Sequence, residues 1–247
     1  MKTEAEKDQA IIQSTLTRAE SELIDRAGDL ELWQMGQNES EEMDDFVYRV
    51  YADAFAQDGH VPFTREEIAA IGREYFQRAR VCAVRHADGT LLGTWGLILK
   101  QLEDESFMLP IEKAFGLKPA LIVQKMKAAN TRFLFNGWRT AIDKDALEAH
   151  SIDRSKSIFI FDFLLRGLTA DFGDLTTRML GVAEMELLVL KYHRRIGIPW
   201  VILGEPKNYW GRDRYPCSFR LSDFEAHMRE HHPERALFLY GGRTAAG

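Results

Sequence analysis

The stretch Val81-Cys-Ala-Val-Arg-His-Ala-Asp-Gly-Thr-Leu-Leu-Gly-Thr-Trp-Gly-Leu-Ile-Leu99 indicates the fold most directly. Two β-rich runs, 81–86 and 91–99, are joined here by Asp88-Gly89. Asp-Gly is a common signal of a tight hairpin because both residues tolerate positive φ. The sequence therefore predicts an antiparallel β-hairpin at this place.

Downstream of the hairpin, apolar spacing and helix-end signals predict alternating elements. These are a short helix within 109–127, a long strand at 131–142, a helix at 157–170, a strand at 176–183, a helix at 184–195, and strands at 199–203 and 217–221. This order predicts one α/β sheet with flanking helices.

Upstream of the hairpin, the sequence predicts helices. Residues 8–34 have apolar residues at roughly helical spacing, which predicts an amphipathic helix or helix pair. A helix is also predicted over 46–55, and Thr64 with Glu67 forms a capping-box pattern at the start of another. We divide the chain into an N-terminal helical extension, the sheet domain, and a C-terminal helix with its tail, at 1–43, 44–221 and 222–247.

Composition excludes several classes of protein. The chain has 247 residues, 45% hydrophobic and 28% charged, and a formal charge of −6, which is typical of a folded globular protein and disfavours nucleic-acid binding. No run of about 18 apolar residues exists, so no membrane span is expected. Cys82 and Cys217 lie far apart and form no metal or disulfide pattern, so we expect reduced thiols in a cytoplasmic protein.

Four short stretches, in this order, carry a resemblance to a known superfamily. They are Tyr48-Arg-Val-Tyr-Ala-Asp-Ala-Phe55, Asp88-Gly-Thr-Leu-Leu-Gly-Thr-Trp95, Leu109-Pro-Ile-Glu112 and Tyr192-His-Arg-Arg-Ile-Gly-Ile198. Together they resemble the GNAT superfamily, and within it the N-acyl homoserine lactone (autoinducer) synthases and the long-chain N-acyl amino acid synthases. The resemblance covers about residues 44–221 and implies a GNAT-like, mixed and mostly antiparallel sheet with flanking helices and a splayed cleft.

The resemblance implies an acyltransferase. Such an enzyme moves a fatty acyl chain from a thioester to the amine of an amino acid or related small molecule. It has no bound cofactor, because the donor is the acyl-phosphopantetheine of an acyl carrier protein or acyl-CoA. The expected partners are therefore an acyl carrier protein and a small amine acceptor.

The chain also departs from the family at three places. Trp95 and Gly96 stand where an Arg is usual, and Asn136-Gly-Trp-Arg139 replaces a Glu-x-x-Arg motif, so the family's carboxylate is missing while its Arg is kept. The glycine-rich pyrophosphate loop is replaced by 153–157. That replacement suits a phosphopantetheine donor, which has one phosphate.

Candidate donor and leaving-group residues follow from chemistry. The start of a helix presents free N–H groups to a phosphate, which points to Arg154, Ser155, Lys156 and Ser157; a solvated helix start is the other interpretation. For protonation of the leaving thiolate, the resemblance points to Tyr192, but the spacing to Gly197 also allows His193. The ordinary pKa of histidine is the closer to neutrality. Both residues therefore stay candidates, and each is equally explained as a packing or surface residue.

Two further sets complete the predicted site. For the acceptor we select Arg49, Asn136, Trp138 and Arg139, since a guanidinium grips a carboxylate bidentately, although surface ion pairs are the commoner role of arginine. Basic residues suited to an acidic carrier protein are Lys191, Arg194, Arg195, Arg212 and Arg214. Basic residues also stabilise the C-terminus of any helix through its dipole, and this is the other interpretation of the cluster.

Two rival functions stay open. An acetyl-CoA-dependent GNAT acetyltransferase is indicated if Arg178-Met-Leu-Gly-Val-Ala183 is a phosphate loop that opens a helix instead of a strand. A non-catalytic binding or scaffold protein is the other; His227 and His231 have a spacing that allows zinc binding, but no third ligand is evident. We therefore predict no metal site.

Overall fold

The structure is a computed structural model and describes residues 18–153, 156–170 and 172–241, with residues 6, 10, 12, 13 and 16 before them. Arg154, Ser155 and most of the predicted helix before residue 18 lie outside these ranges. The described strands are β1 (Glu22–Ala27), β2 (Leu30–Gln34), β3 (Ala79–His86), β4 (Leu91–Gln101), β5 (Phe133–Ile142), β6 (Met179–Glu186), β7 (Val201–Ile202), β8 (Lys207–Tyr209) and β9 (Arg212–Arg220).

Helices make up most of the remaining described chain. The α-helices are α1 (Ser40–Ala56), α2 (Arg65–Tyr75), α3 (Pro110–Phe115), α4 (Pro119–Lys125), α5 (Lys144–Ala149), α6 (Ser157–Thr169), α7 (Leu187–Arg195), α8 (Leu221–His231) and α9 (Pro233–Tyr240). Short 3-10 helices lie at Gln37–Glu39, Phe76–Arg78 and Gly173–Arg178.

The strands form a mixed sheet that is largely antiparallel. Their order is β1-β2-β3-β4-β5-β6-β9-β7, with β8 also paired to β9. β5 and β6 are parallel, whereas β6, β7 and β8 each run antiparallel to β9. The predicted fold class, a mostly antiparallel α/β sheet with flanking helices, is confirmed.

The chain divides into two compact units. The first contains the described residues of 1–97 and 138–171, and the second those of 98–137 and 172–247. β4 and β5 therefore contribute residues to both units. The domain boundaries at 43/44 and 221/222 stay predictions.

In the first unit, α6 packs on β2 and β3. The helix approaches closely at Gly167, where a Cβ atom would lie 2.9 Å from Cys82 Sγ and 3.1 Å from Leu32 Cδ1. A residue without a side chain is therefore needed at that point of α6.

The prediction of helix over residues 22–34 is wrong. This segment forms the β1–β2 hairpin, which turns at Gly28 with φ of +62°. β2 then pairs with β3 from Leu30 opposite His86 to Gln34 opposite Cys82. Pairing with a strand some fifty residues away outweighs the local helical spacing of the apolar residues.

Local signals elsewhere predicted the elements correctly. The Asp88-Gly89 hairpin joins β3 to β4, and Gly89 has φ of +94°. At the start of α2, Glu67 N donates to Thr64 Oγ1 (3.2 Å) and Thr64 N donates to Glu67 Oε2 (2.7 Å), which confirms the capping box. The predicted long strand and the helix after it are confirmed as β5 and α6.

In the second unit, β6 has a neighbour on each side. Residues 133–136 of β5 pair with 179–182 of β6, and the antiparallel ladder with β9 extends along β6 from Leu180 to Glu186. The segment 178–183 is thus the end of a 3-10 helix and a strand, not the start of a helix. Residues 178–183 would have indicated an acetyl-CoA phosphate loop only if they opened a helix, and they do not.

No helix among the described parts of the chain combines the length and apolarity needed to cross a membrane.

The packing of β6 can be tested at Gly181. A Cβ atom there would overlap the ring of Phe219 and lie 2.7 Å from Cζ of Phe135. We expect Gly181→Ala to lower the free energy of unfolding by about 1–3 kcal/mol, because overpacking displaces these buried rings. Urea denaturation measures the change. Gly204→Ala is the matched control, since its Cβ would have only an ordinary 3.8 Å contact with Pro216. Equal stability changes in the two variants would contradict this account.

Candidate functional site

The site in the second unit begins where the parallel ladder ends, at Asn136 opposite Val182. Asn136 is fully buried. Its Oδ1 accepts a hydrogen bond from Ile111 N (3.3 Å), and its Nδ2 donates to Gly137 O (2.9 Å). The first N–H groups of α3 lack helical partners, so Asn136 satisfies one of them and is fixed in return.

The Leu109-Pro-Ile-Glu112 motif anchors α3. Glu112 Oε2 accepts hydrogen bonds from Lys100 Nζ (2.7 Å) and from Leu109 N (2.8 Å), and both Lys100 and Glu112 are buried. Lys100 Nζ also donates to Phe107 O (2.7 Å). A buried ion pair with these additional hydrogen bonds fixes the start of α3, and with it the donor to Asn136.

Glu184 is the residue of this site that the sequence analysis missed. It lies two positions after Val182 on β6, so it faces the same side of the strand as Val182, which pairs with Asn136. The side chain is half-buried, and its Oε1 is sealed from solvent with no hydrogen-bond partner among the described residues. Burial raises the pKa of Glu184 to about 7, against the lowering effects of Arg214 and Asn136. A carboxyl group with this pKa exchanges protons readily at neutral pH.

Ser218 adds a second unpartnered polar atom on this side of the sheet. It pairs with Val182 across the β6–β9 ladder, so their side chains share a face. Ser218 is fully buried, and its Oγ has no hydrogen-bond partner within the described chain. Buried polar groups without partners are rare in folded proteins and concentrate where a ligand or reaction uses them.

Charged residues continue this face toward the end of β6. Arg212 Nη1 lies 3.1 and 3.2 Å from the two carboxylate oxygens of Glu186, and Arg214 Nη2 lies 3.8 Å from Glu186 Oε1. Both arginines were predicted to dock a carrier protein. In the structure both arginines lie beside the Glu186 carboxylate, which reduces the positive charge that they offer to a partner.

Tyr192 and His193 both lie on α7. Burial lowers the pKa of His193 to about 4, so its imidazole is neutral at pH 7. This lowered pKa disfavours His193 as a proton donor at neutral pH, and the catalytic role of Tyr192 or His193 stays a prediction. Tyr192 is half-buried, and the Arg195 guanidinium lies 5.6 Å from the centroid of its ring. Of the two candidates for the proton donor, Tyr192 is the more exposed.

The predicted acceptor residues belong to both units. The two arginines, which lie in the first unit, form ion pairs and hydrogen bonds with other residues of that unit. Arg139 is buried, forms an ion pair with Asp44, and donates to Ile68 O (2.8 Å). Its guanidinium also lies 4.3 Å from the centroid of the buried Trp138 ring. This environment gives Arg139 a structural role in the first unit.

Arg49 has a different setting. It is exposed and forms an ion pair with Asp143, which is itself buried and caps α5. Its guanidinium is accessible, as acceptor binding requires. The acceptor role of Arg49, Asn136, Trp138 and Arg139 stays a prediction.

The predicted donor-phosphate residues lie at the start of α6. Lys156 is exposed and is the N-cap residue, but its side chain makes no capping hydrogen bond; Ser157 is half-buried and is the first residue of the helix. Arg154 and Ser155 lie outside the described residues. The phosphate role of these four residues stays a prediction.

The predicted carrier-docking residues fall on two elements. Lys191, Arg194 and Arg195 lie on α7, and Arg212 and Arg214 lie on β9. Arg194 donates to Trp200 O through Nε (3.0 Å) and Nη2 (2.7 Å). Lys191 and Arg195 are exposed, as is the apolar first turn of α7. That turn consists of Leu187, Leu188 and Val189, which are 41%, 77% and 41% exposed.

Comparisons with known proteins show the fold. No family model matches the sequence, and no curated protein matches it significantly. The structure is similar to FeeM, an N-acyl amino acid synthase from uncultured soil microbes, with a TM-score of 0.50 and 12% identity over 84% of this chain and 92% of FeeM. It is also similar to an uncharacterised protein from Bacillus halodurans, with a TM-score of 0.50 and 6% identity over 90% of this chain and 100% of that protein. A further similar structure is the AHL synthase LasI, with a TM-score of 0.49 and 14% identity over 92% of this chain and 99% of LasI. The predicted GNAT-like fold is confirmed.

The buried carboxyl group of Glu184 predicts a pH-dependent stability. Because its folded pKa is raised above the unfolded value of about 4.5, the wild type loses stability as the pH rises from about 4.5 to above 7. Glu184→Gln keeps the shape and removes the charge. We therefore expect the unfolding free energy of the variant, relative to the wild type, to increase between pH 5 and pH 8 and then to level off.

Urea denaturation at several pH values measures this difference. The control is Glu205→Gln, which changes an exposed carboxylate and leaves Glu184 in place. A difference for Glu184→Gln that is constant from pH 5 to pH 8 would show that the carboxyl group titrates normally.

Proposed function

We propose that this protein is an N-acyltransferase that moves a fatty acyl chain from a phosphopantetheine thioester to the amine of an amino acid or a related small molecule. The observation that carries the proposal is Glu184, which lies beside Asn136 at the end of the parallel ladder, with its Oε1 atom sealed from solvent and its pKa raised by burial to about 7. The fold supports the same conclusion, because it is shared with an N-acyl amino acid synthase.

Glu184 supplies the carboxylate that the sequence analysis found missing at position 136. An amine acceptor is an ammonium ion at neutral pH and must lose a proton before it can attack a thioester. We assign this proton to Glu184, whose pKa of about 7 suits a general base at that pH. Asn136 then orients the carboxylate instead of providing it.

The remaining steps follow from the chemistry of acyl transfer. The neutral amine attacks the thioester carbonyl carbon and forms a C–N bond. The C–S bond then breaks, and the leaving thiolate takes a proton from the Tyr192 hydroxyl. The amide nitrogen loses its second proton to solvent, and Glu184 and Tyr192 exchange protons with water to complete the cycle. Because a thioester is already activated, holding the reactants together provides most of the acceleration, about 7–11 kcal/mol in well-oriented systems.

A further proposal concerns the kind of molecule that delivers the acyl chain. We propose an acyl carrier protein as the preferred donor, because the exposed apolar first turn of α7 is followed by the cations Lys191 and Arg195, which suit an acidic, partly apolar partner helix. Acyl-CoA is the alternative donor. The cytoplasmic location stays a prediction.

The catalytic proposal is tested by Glu184→Gln. We expect kcat with a long-chain acyl donor and an amino acid acceptor to fall by about 10²–10⁴-fold, because the variant cannot accept the proton. In the wild type, the logarithm of kcat/KM should rise with pH and bend near pH 7. Product mass spectrometry over a panel of donors and amino acids gives the rates.

Glu205→Gln, which changes an exposed carboxylate, should keep wild-type rates. A fully active Glu184→Gln enzyme would disprove the base assignment. The wild type consuming no thioester from any donor would disprove the function itself, and acetyl amides as the sole products would favour the acetyl-CoA alternative.

The carrier proposal is tested by Lys191→Glu with Arg195→Glu. We expect KM for an acyl carrier protein donor to rise about 10-fold or more, because the change reverses charges that steer an acidic partner. KM for the matching acyl-CoA should stay within about twofold, since coenzyme A has no protein surface to dock. Lys125→Glu with Lys144→Glu changes two other exposed lysines by the same total charge and is the control. Equal rises in KM for both donors, or in both variants, would contradict specific docking on α7.

A further inference from the structure

A cluster of two histidines and one aspartate lies in the first unit and has no part in the proposed reaction. His86 is the last residue of β3, Asp88 lies in the hairpin turn, and His150 is the C-cap residue of α5. Each offers one nitrogen or oxygen atom that can bind a metal ion. Residues 62 positions apart in sequence are thus brought together at one point.

The spacing of these atoms suits a small metal ion. Asp88 Oδ1 lies 3.1 Å from His86 Nδ1, and Asp88 Oδ2 lies 2.9 Å from His150 Nε2. The three ligand atoms all lie within 4.8 Å of one another, and the two imidazole rings are 4.3 Å apart at their centroids. Zinc binds such ligands at about 2.0–2.2 Å with tetrahedral angles, which separates them by roughly 3.3 Å. The two distances from the Asp88 oxygens are already close to this value.

Contacts outside the three ligands orient two of them. His150 Nδ1 lies 2.9 Å from Ala146 O, and donation to this carbonyl leaves the Nε2 lone pair directed at the cluster. Asp88 is held by a hydrogen bond from Thr90 N to Oδ1 (2.9 Å) within the hairpin turn. His86 Nδ1 accepts only a long hydrogen bond from Asp88 N (3.4 Å), which a metal ion would replace. A hydrogen bond from the second ring nitrogen to a backbone carbonyl, as in His150, is typical of histidines that bind a metal.

We propose that His86, Asp88 and His150 form a binding site for a divalent transition-metal ion. Two imidazole nitrogens and one carboxylate oxygen favour Zn²⁺, Co²⁺, Ni²⁺ or Cu²⁺ over Mg²⁺ and Ca²⁺, which prefer oxygen ligands. All three side chains are half-buried or exposed, so an ion and a water at the fourth position can reach them. A bound ion joins the β3–β4 hairpin to α5 and stabilises the first unit by mass action.

The site contrasts with the histidine pair that the sequence analysis considered. His227 and His231 are stacked on α8 with ring centroids 4.5 Å apart, but no group of three ligands is formed around them within the described chain. This pair provides an internal control for weak, non-specific metal binding. The rival interpretation of the proposed site is an ion pair between protonated His150 and Asp88 without any metal.

Isothermal titration of the full-length, chelator-treated protein with Zn²⁺ tests the proposal, and the visible absorption of bound Co²⁺ reports the coordination. We expect one equivalent to bind and the thermal midpoint to rise with Zn²⁺. Asp88→Asn and His150→Gln should each weaken binding by at least about 10-fold. Asp88→Asn is the more informative variant, because Asn-Gly also forms tight hairpin turns and should leave the fold intact.

The controls are Asp29→Asn, at an exposed position beside the other hairpin glycine, and His231→Gln on α8. Both should bind Zn²⁺ like the wild type. A wild type that binds no Zn²⁺ would overturn the proposal in favour of the ion pair. Unchanged binding by a folded Asp88→Asn protein, or loss of binding only in His231→Gln, would overturn it in favour of binding elsewhere.

Discussion

The parallel ladder between β5 and β6 determines which side chains meet in the second unit. It joins residues 133–136 to 179–182, and β9 holds β6 from its other side. This register places Asn136 and Ser218 in line with Val182, with Glu184 two residues further along the same face. The buried Lys100–Glu112 ion pair fixes α3, whose Ile111 N–H then fixes Asn136. A shift of one residue in this ladder would turn Asn136 to the opposite face of the sheet, away from Glu184.

Burial shifts the pKa values of Glu184 and His193 in opposite directions. It raises the pKa of Glu184 to about 7 and lowers the pKa of His193 to about 4, because in each case the charged form is disfavoured. A histidine is the usual first choice for proton transfer at neutral pH, but here the neutral His193 is the poor candidate and a carboxylic acid is the good one. In the proposed reaction, proton transfer therefore depends on the burial of these groups more than on residue type.

Sequence alone predicted the elements whose signals are local. The Asp88-Gly89 turn and the Thr64–Glu67 capping box need only neighbouring residues, and both are confirmed. The β1–β2 hairpin was missed because its pairing with β3 is a long-range interaction. Glu184 was missed for the same reason: 48 residues separate it from Asn136, and only the strand register unites them. The signal that could have identified it is one carboxylate within the apolar run from Leu180 to Met185.

The central claim is that Glu184 is a buried base with a pKa near neutrality, and carbon NMR of protein labelled at glutamate side-chain carboxyl groups tests it most directly. The resonance that disappears in Glu184→Gln identifies the residue. Its chemical shift should titrate with a midpoint near pH 7. A midpoint near 4.5, the ordinary value for glutamate, would contradict the account.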